Sequence, residues 1–312
     1  MMAVTTDEHE AGTVEPAVVE PAVLEPADIE PADIEPAVLE PGHQINDDYR
    51  VVGHMRRGVD LDVYDVWSER RWCRCVIKTA RPDTRHSEPL RRRLGREGDL
   101  ACRLAHPHLV RGYETITEPE LMVVLETITG VTLGYLLECV RARLPLVDLA
   151  NLGEQVGSAI RYLHHAGYIH LDLKPSNIIS EGGKAKVIDL SLVRPPGPGP
   201  IAVGTRIYMA PEQARDGMLT EACDVWGLGL VLYEAATGVQ PFDDGQDAPS
   251  ADRCTVGAVD DHYPQLEVSP VPIKRLRRLP IEMAMMIDAC LDRDPTGRPS
   301  IEDVAATCAR FG

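Results

Sequence analysis

The sequence predicts an α+β fold of two unequal parts, preceded by a tail. Three observations lead there. Short β-type runs crowd Tyr49–Lys78, a helical apolar stripe follows over residues 90–104, and an amphipathic helix spans Leu149–Gly167. With 312 residues and 44% apolar composition, the chain can build either one large two-lobed domain or two ordinary ones.

The tail comes first. From Glu15 the chain reads EPAVV, EPAVL, EPADI, EPADI, EPAVL, then Glu40-Pro41-Gly42. Proline every fifth residue removes an amide donor each time, and the Glu before it adds recurring charge. Residues 1–44 are therefore expected to be extended and disordered, as a solubilising tail or an acidic docking arm. Residues 1–50 carry thirteen acids and one arginine, so most of the net charge of −17 belongs to the tail. This acidity argues against a nucleic-acid partner. The chain has no run of the ~18–20 apolar residues that would span a bilayer. None of its eight cysteines forms a C-x-x-C pair. The expectation is a cytoplasmic protein with reduced thiols and no membrane segment.

Next come three runs suited to an antiparallel sheet, Tyr49–Val52, Val63–Trp67 and Trp72–Lys78. In the helix over 90–104, Leu90, Leu94, Ala101 and Leu104 form one stripe, Glu97 lies near it, and His106-Pro107 end it. An inward lysine at the end of the third run, Lys78, can hold phosphates if a carboxylate such as Glu97 fixes it.

The run His170-Leu171-Asp172-Leu173-Lys174-Pro175-Ser176-Asn177 carries the most chemistry, with Asp189 twelve residues beyond Asn177. Asp172 can orient an attacking hydroxyl and accept its proton. Lys174 can neutralise a moving phosphoryl group, and Asn177 and Asp189 offer the hard oxygens that suit Mg²⁺. Further motifs follow in order: Gly204-Thr205-Arg206-Ile207-Tyr208-Met209-Ala210-Pro211-Glu212, Asp224-Val225-Trp226-Gly227-Leu228-Gly229, and Arg298 within Asp294–Pro299.

Together these motifs resemble the protein-kinase family from about Tyr49 to the C-terminus, and its small soluble bacterial serine/threonine members in particular. The resemblance implies a bilobal fold: a small antiparallel β lobe with one helix and the hinge over 45–128, and a larger, mainly helical lobe over 129–312. It also implies ATP with Mg²⁺ or Mn²⁺, and a polypeptide substrate. Asp172 and Lys174 would be catalytic, and Asn177 and Asp189 would hold metal. Gly58, Val63, Lys78, Glu97, Glu126 and Ile128 would line the nucleotide site, with Leu125 as gatekeeper and the backbone of Glu126–Ile128 meeting adenine. Arg298 would pair with Glu212. His170 reads as a packed support for its loop. An alternative on the same fold is a pseudokinase acting as a nucleotide-binding scaffold.

Several positions depart from the family pattern. Counted back from Val63-Tyr64, the three glycine positions over the phosphates hold Arg56, Gly58 and Leu61, so only the middle one is glycine. A charge at Arg56 or Arg57 could compensate. Leu171 replaces the arginine that in regulated relatives binds an activation-loop phosphate. The loop itself, residues 192–203, contains no Ser, Thr or Tyr. Activity independent of loop phosphorylation is expected. Ser191 stands where glycine usually follows the metal-binding Asp, which should make large flips of Asp189 costly. The basic clusters Arg91–Arg93 and Lys274–Arg278 are candidate contacts for the acidic tail, and residues 243–272 read as a long loop.

Overall fold

The computed structural model describes residues 37–140, 143–199, 203–215, 217–243 and 262–312, and Ala37–Gly312 form one compact unit. Five antiparallel strands open it: β1 (Tyr49–Arg57), β2 (Leu61–Ser68), β3 (Cys73–Ala80), β4 (Gly112–Ile116) and β5 (Met122–Glu126), in the spatial order β1-β2-β3-β5-β4. Period-two alternation splits their side chains. Tyr49, Val51, Tyr64, Val66, Cys75, Ile77, Met122 and Val124 build one buried face. Val63, Lys78 and Val123 share a cross-strand row on the other, by the pairings Val63↔Lys78 and Lys78↔Val123.

Helix α1 (Glu88–Arg103) packs on that second face through Leu90, Leu94, Glu97, Gly98, Leu100 and Ala101. Gly98 sets the distance of approach. A Cβ there would lie 2.3 Å from Thr115 Oγ1 and 2.8 Å from the Val123 side chain, so a larger residue would lift the helix, and Glu97 with it, off the sheet.

Strands β6 (Val131–Thr132), β7 (Ile178–Glu181) and β8 (Lys184–Val187) form a small sheet beyond the hinge. The remainder is mainly helical: α2 (Leu133–Val140), α3 (Leu146–His165), α4 (Pro211–Ala214), α5 (Glu221–Thr237), α6 (Ile281–Cys290) and α7 (Ile301–Ala309), with the short pair β9 (Gly197–Pro198) and β10 (Met218–Leu219). Helix α5 is buried on all sides and organises this lobe. The Thr220 side chain caps its first turn, and Gly238, at φ 73°, ends it. Helix α3 begins three residues before the expected Leu149, directly after Pro145, and Gly167 at φ 82° follows it.

Two expectations need correction. The sequence predicts a tail to residue 44, but residues 37–44 belong to the folded unit. Val38 and Leu39 pack against the outer face of the sheet, Leu39 N donates to Tyr64 Oη at 3.2 Å, and Gly42 N donates to Val51 O at 2.8 Å. The last repeat offers an apolar pair just before a glycine that turns at φ 90°, and this apolar sheet face takes up that pair. Second, β1 and β2 run beyond the predicted Val52 and before the predicted Val63, leaving only Gly58–Asp60 between them. The rest of the expected tail, and residues 244–261 of the expected long loop, lie outside the described residues. Among the described residues no helix is long and apolar enough to cross a membrane.

Candidate active site

Between the lobes, the fold gathers Lys78, Glu97, Asp172, Lys174, Asn177 and Asp189 around one cleft. Lys78 Nζ lies 2.6 Å from Glu97 Oε1 and 3.6 Å from Asp189 Oδ1. Burial would lower the Lys78 pKa, but the two carboxylates outweigh it and raise it, so the lysine is charged. Burial would likewise raise Asp189. The Lys78 ammonium and the Ser191 backbone N–H, at 2.9 Å, instead hold that carboxyl well below its ordinary value. Glu97 is pushed up by burial, against the pull of Lys78. Leu190 is fully buried and joins the apolar core shared with Leu94 and Leu109. Ser191 is not among the residues at positive φ.

On the other wall, Asp172 is held by four donors. Oδ1 accepts from Thr205 N at 3.0 Å and Thr205 Oγ1 at 2.7 Å. Oδ2 accepts from Asn177 Nδ2 at 2.9 Å and faces Lys174 Nζ at 3.1 Å. Lys174 Nζ also donates to Thr205 Oγ1 at 2.6 Å. Beneath this group, Asp224 at the start of α5 clamps the loop. Oδ2 accepts from His164 Nε2 and His170 N, and Oδ1 from Leu171 N, each at 2.8 Å. Two bonds to consecutive amides fix a bend that Leu171 completes at φ 68°, a left-handed conformation that is uncommon for a non-glycine residue. His170 is fully buried, and its Nδ1 accepts from Asp172 N at 3.3 Å, so it sits as a support rather than in the cleft.

The remaining expected nucleotide residues lie at the edges of the same cleft. Val63 shares the Lys78 row, while Gly58 opens the three-residue turn that Gly58 N closes on Leu61 O at 2.7 Å. Leu125 is buried, and Ile128 packs partly on the core. At Glu126 the backbone N–H is already taken by Arg111 O at 3.0 Å, which narrows what it can offer a base. Gly130 allows the chain to pass β7, since a Cβ there would meet Ser180 O at 2.0 Å.

The two arginines of the covering hairpin separate cleanly. Arg57 is bound to Asp62 by two bonds of 2.8 and 2.9 Å, and His54 shares that carboxylate at 3.1 Å. Arg56 pairs across the hairpin with Val63, so it emerges on the Lys78 face, where the Asp189 carboxylate acts on it electrostatically.

A divalent cation bound along with phosphates fits these residues. Asn177 and Asp189 supply hard oxygens, and Asp189 is ionised and 31% exposed. Among the described residues, no group of three or more His, Cys, Asp or Glu is placed to hold a metal alone. An ion here would draw the rest of its shell from phosphate oxygens and water.

Two features were not anticipated from sequence. Gln213, 2% exposed, bridges the backbone at Leu171 and at Val203. Its signal in the sequence is slight, an amide directly after Glu212. The other is Glu234 on α5, which accepts from Tyr208 Oη at 2.6 Å. Burial pushes its pKa to about 7 from an ordinary 4.5, Glu138 and Asp243 add to the rise, and the Tyr208 bond opposes it. A carboxyl raised on folding favours the fold in acid. This contribution is complete below 4.5 and is lost as pH rises through about 7. Glu234→Gln keeps an acceptor for Tyr208 and removes the charge. It is expected to match the wild type in denaturant titrations at pH 5 and to exceed it at pH 8 by on the order of 1–3 kcal/mol. A difference that does not grow with pH would refute this assignment.

A family model described as the protein kinase domain matches residues 49–308. The serine/threonine-protein kinase PrkC of Bacillus subtilis is 34% identical over 221 residues, covering 67% of this chain and 33% of that protein. PkaA of Streptomyces coelicolor is 32% identical over 241 residues, covering 74% of this chain and 41% of the other. This chain thus spans well under half the length of these bacterial relatives. The crystal structure of the Mycobacterium tuberculosis PknI kinase domain superposes with a TM-score of 0.66 at 20% identity, covering 88% of this chain and all of that one. The described fold repeats that architecture, an antiparallel sheet lobe with one helix above a helical lobe. The chain belongs to the protein kinase domain family.

Proposed function

We propose that the chain is a serine/threonine protein kinase that transfers the γ-phosphate of ATP to a protein hydroxyl. One observation carries this most directly. A hydroxyl, that of Thr205, is already held 2.7 Å from Asp172 Oδ1 and 2.6 Å from Lys174 Nζ. A substrate hydroxyl entering beside it meets a carboxylate able to orient it and take its proton, and a cation able to balance the transferring group. Lys78, fixed by Glu97, is positioned for the nucleotide phosphates, and Arg56 projects from the covering hairpin toward the same region. Val63, Leu125 and the segment 126–128 frame space for a base. Mg²⁺ or Mn²⁺, held by Asn177 and Asp189 with the phosphates, would supply charge neutralisation. This chain's own part is to aim the hydroxyl and to hold the phosphates still.

The polypeptide substrate is inferred from segment 204–212, which packs beside Asp172. A cytoplasmic setting accords with the seven cysteines of the described residues, all free. The expected contact between the tail and the basic clusters is kept only in part. Arg93 is bound to Asp60 at 2.9 Å and Arg277 to Ala236 O at 2.9 Å, which limits what either cluster offers a partner.

Neither Leu171 nor residues 192–203 can support phosphate-dependent ordering. The full chain should therefore transfer labelled γ-phosphate from ATP to itself or a basic test protein, at a rate unchanged by prior phosphatase treatment. Loss of transfer after phosphatase would refute the phosphate-independent part. Nucleotide binding without any transfer would favour the scaffold alternative.

A further inference from the structure

Regulated relatives tie the activation segment to the catalytic loop through a phosphate and an arginine. This chain lacks both, yet Thr205 is seated on Asp172. The Thr205 bonds and a backbone pair between Ile169 and Arg194 hold part of the segment, and a further group joins its end to the bend at Leu171. Among the described residues, the side chain of Gln213, the third residue of α4 and 2% exposed, bonds both Leu171 and Val203. Its Nε2 donates to Leu171 O and Val203 O, each at 2.9 Å, and its Oε1 accepts from Ala210 N at 3.0 Å. Both amide hydrogens and the carbonyl are therefore used.

We propose that Gln213 is a positioning residue that stands in for the missing phosphate, fastening the activation segment to the catalytic loop so that Asp172 and Thr205 stay in register. This deepens the kinase reading and rests on it.

A plainer role is available, since an amide or acid at the third helical position often caps the first residue of a helix. That role needs only Oε1 on Ala210 N. It does not explain the two donor bonds, which leave the helix and join segments 42 and 10 residues away. Leu171 and Val203 lie outside the helices and strands, so their carbonyls need a donor from elsewhere. They are buried at 4% and 8% exposure, and losing that donor would leave two buried acceptors facing nothing. Gly204 completes the close fit: a Cβ there would lie 3.0 Å from Leu171 O and 3.4 Å from Gln213 Nε2. The joint also sits at the sensitive point. Leu171 directly precedes Asp172, and Val203 lies two residues before Thr205.

Gln213→Glu separates the two roles. Glutamate keeps the capping acceptor and the side-chain size, but it removes both donors and sets a negative charge against two carbonyls. In the full chain, kcat should fall roughly 10–100-fold, as expected for a small displacement of the reacting groups. Affinity for Mg·ATP, titrated separately by calorimetry, should not change, because Lys78, Glu97 and Asp189 are untouched. Amide exchange over 203–209 should rise. A folded Gln213→Glu protein with wild-type kcat would overturn the proposal, and so would equal losses in kcat and nucleotide affinity.

If that variant fails to fold, the phosphatase-treated wild type decides. Its 203–209 amides should exchange slowly without any phosphate present. Exchange as fast as in an unstructured peptide would overturn the proposal. A wild type that transfers no phosphate would sink the kinase reading, while the exchange measurement would still report on Gln213.

Discussion

Asp172→Asn should reduce phosphoryl transfer by about 10²–10⁴-fold while leaving nucleotide affinity intact. The carboxylate does two things an amide cannot. It can accept the proton of the incoming hydroxyl, and both of its oxygens accept at once, from Thr205 on one side and from Asn177 and Lys174 on the other. An asparagine in either orientation turns an NH₂ toward a group that is itself a donor. The site loses its proton acceptor and part of its alignment in one substitution. The residues proposed to meet the nucleotide, Lys78, Glu97 and Asp189, lie on the opposite wall. Single-turnover transfer measured alongside Mg·ATP titration checks both halves. A variant retaining a tenth or more of the wild-type rate, against the roughly hundredfold minimum expected for losing general-base assistance, would remove Asp172 from its proposed role.

Arg298→Ala should cost about 3–5 kcal/mol of stability, the range found when one partner of a buried ion pair is removed. The Arg298 side chain has no exposed surface. It binds Glu212 through two bonds of 2.6 and 2.8 Å and donates to Ala222 O and Asp292 O, both at 2.8 Å. Its guanidinium also lies 5.0 Å from the centre of the Trp226 ring. Alanine would strand a carboxylate that is only 11% exposed, along with two carbonyls. For a domain of this size the melting temperature should fall by on the order of 10 °C. Arg298→Lys should recover only part of the loss, because an ammonium cannot make the two parallel bonds. Removing both charges with Arg298→Met and Glu212→Leu should recover more of it than restoring one. A fall in melting temperature too small to measure in Arg298→Ala would show that the pair is not structural.

Much of this site could be read from sequence because its chemistry is carried by side chains whose identity is the signal. Lys78, Glu97, Asp172, Lys174, Asn177 and Asp189 were each expected in the cleft, and the fold brings all six there. The features that were missed depend on partners distant in sequence. With one glycine of three, the β1–β2 hairpin reads from sequence as an incomplete phosphate-covering loop. Its tight form depends on Asp62 receiving both Arg57 and His54, a cross-strand arrangement that no local pattern announces. The tail boundary was misplaced because Val38-Leu39 looked like one more repeat until a sheet face was present to cover. Gln213 acts on carbonyls of apolar residues, and carbonyls leave no trace in residue identity. The raised pKa of Glu234 comes from burial and neighbouring acids brought together only in the folded lobe.

Leu171, at φ 68°, would not choose that bend alone, and a left-handed residue costs roughly 1–2 kcal/mol. The bend persists because Asp224 pulls on its N–H from α5 and Gln213 on its carbonyl from α4. The reactive loop is therefore not a portable cassette. Grafted onto another scaffold with all eight letters intact, His170 to Asn177 would relax, and Asp172 would lose its aim. The inheritance that matters is the pair of anchors outside the loop.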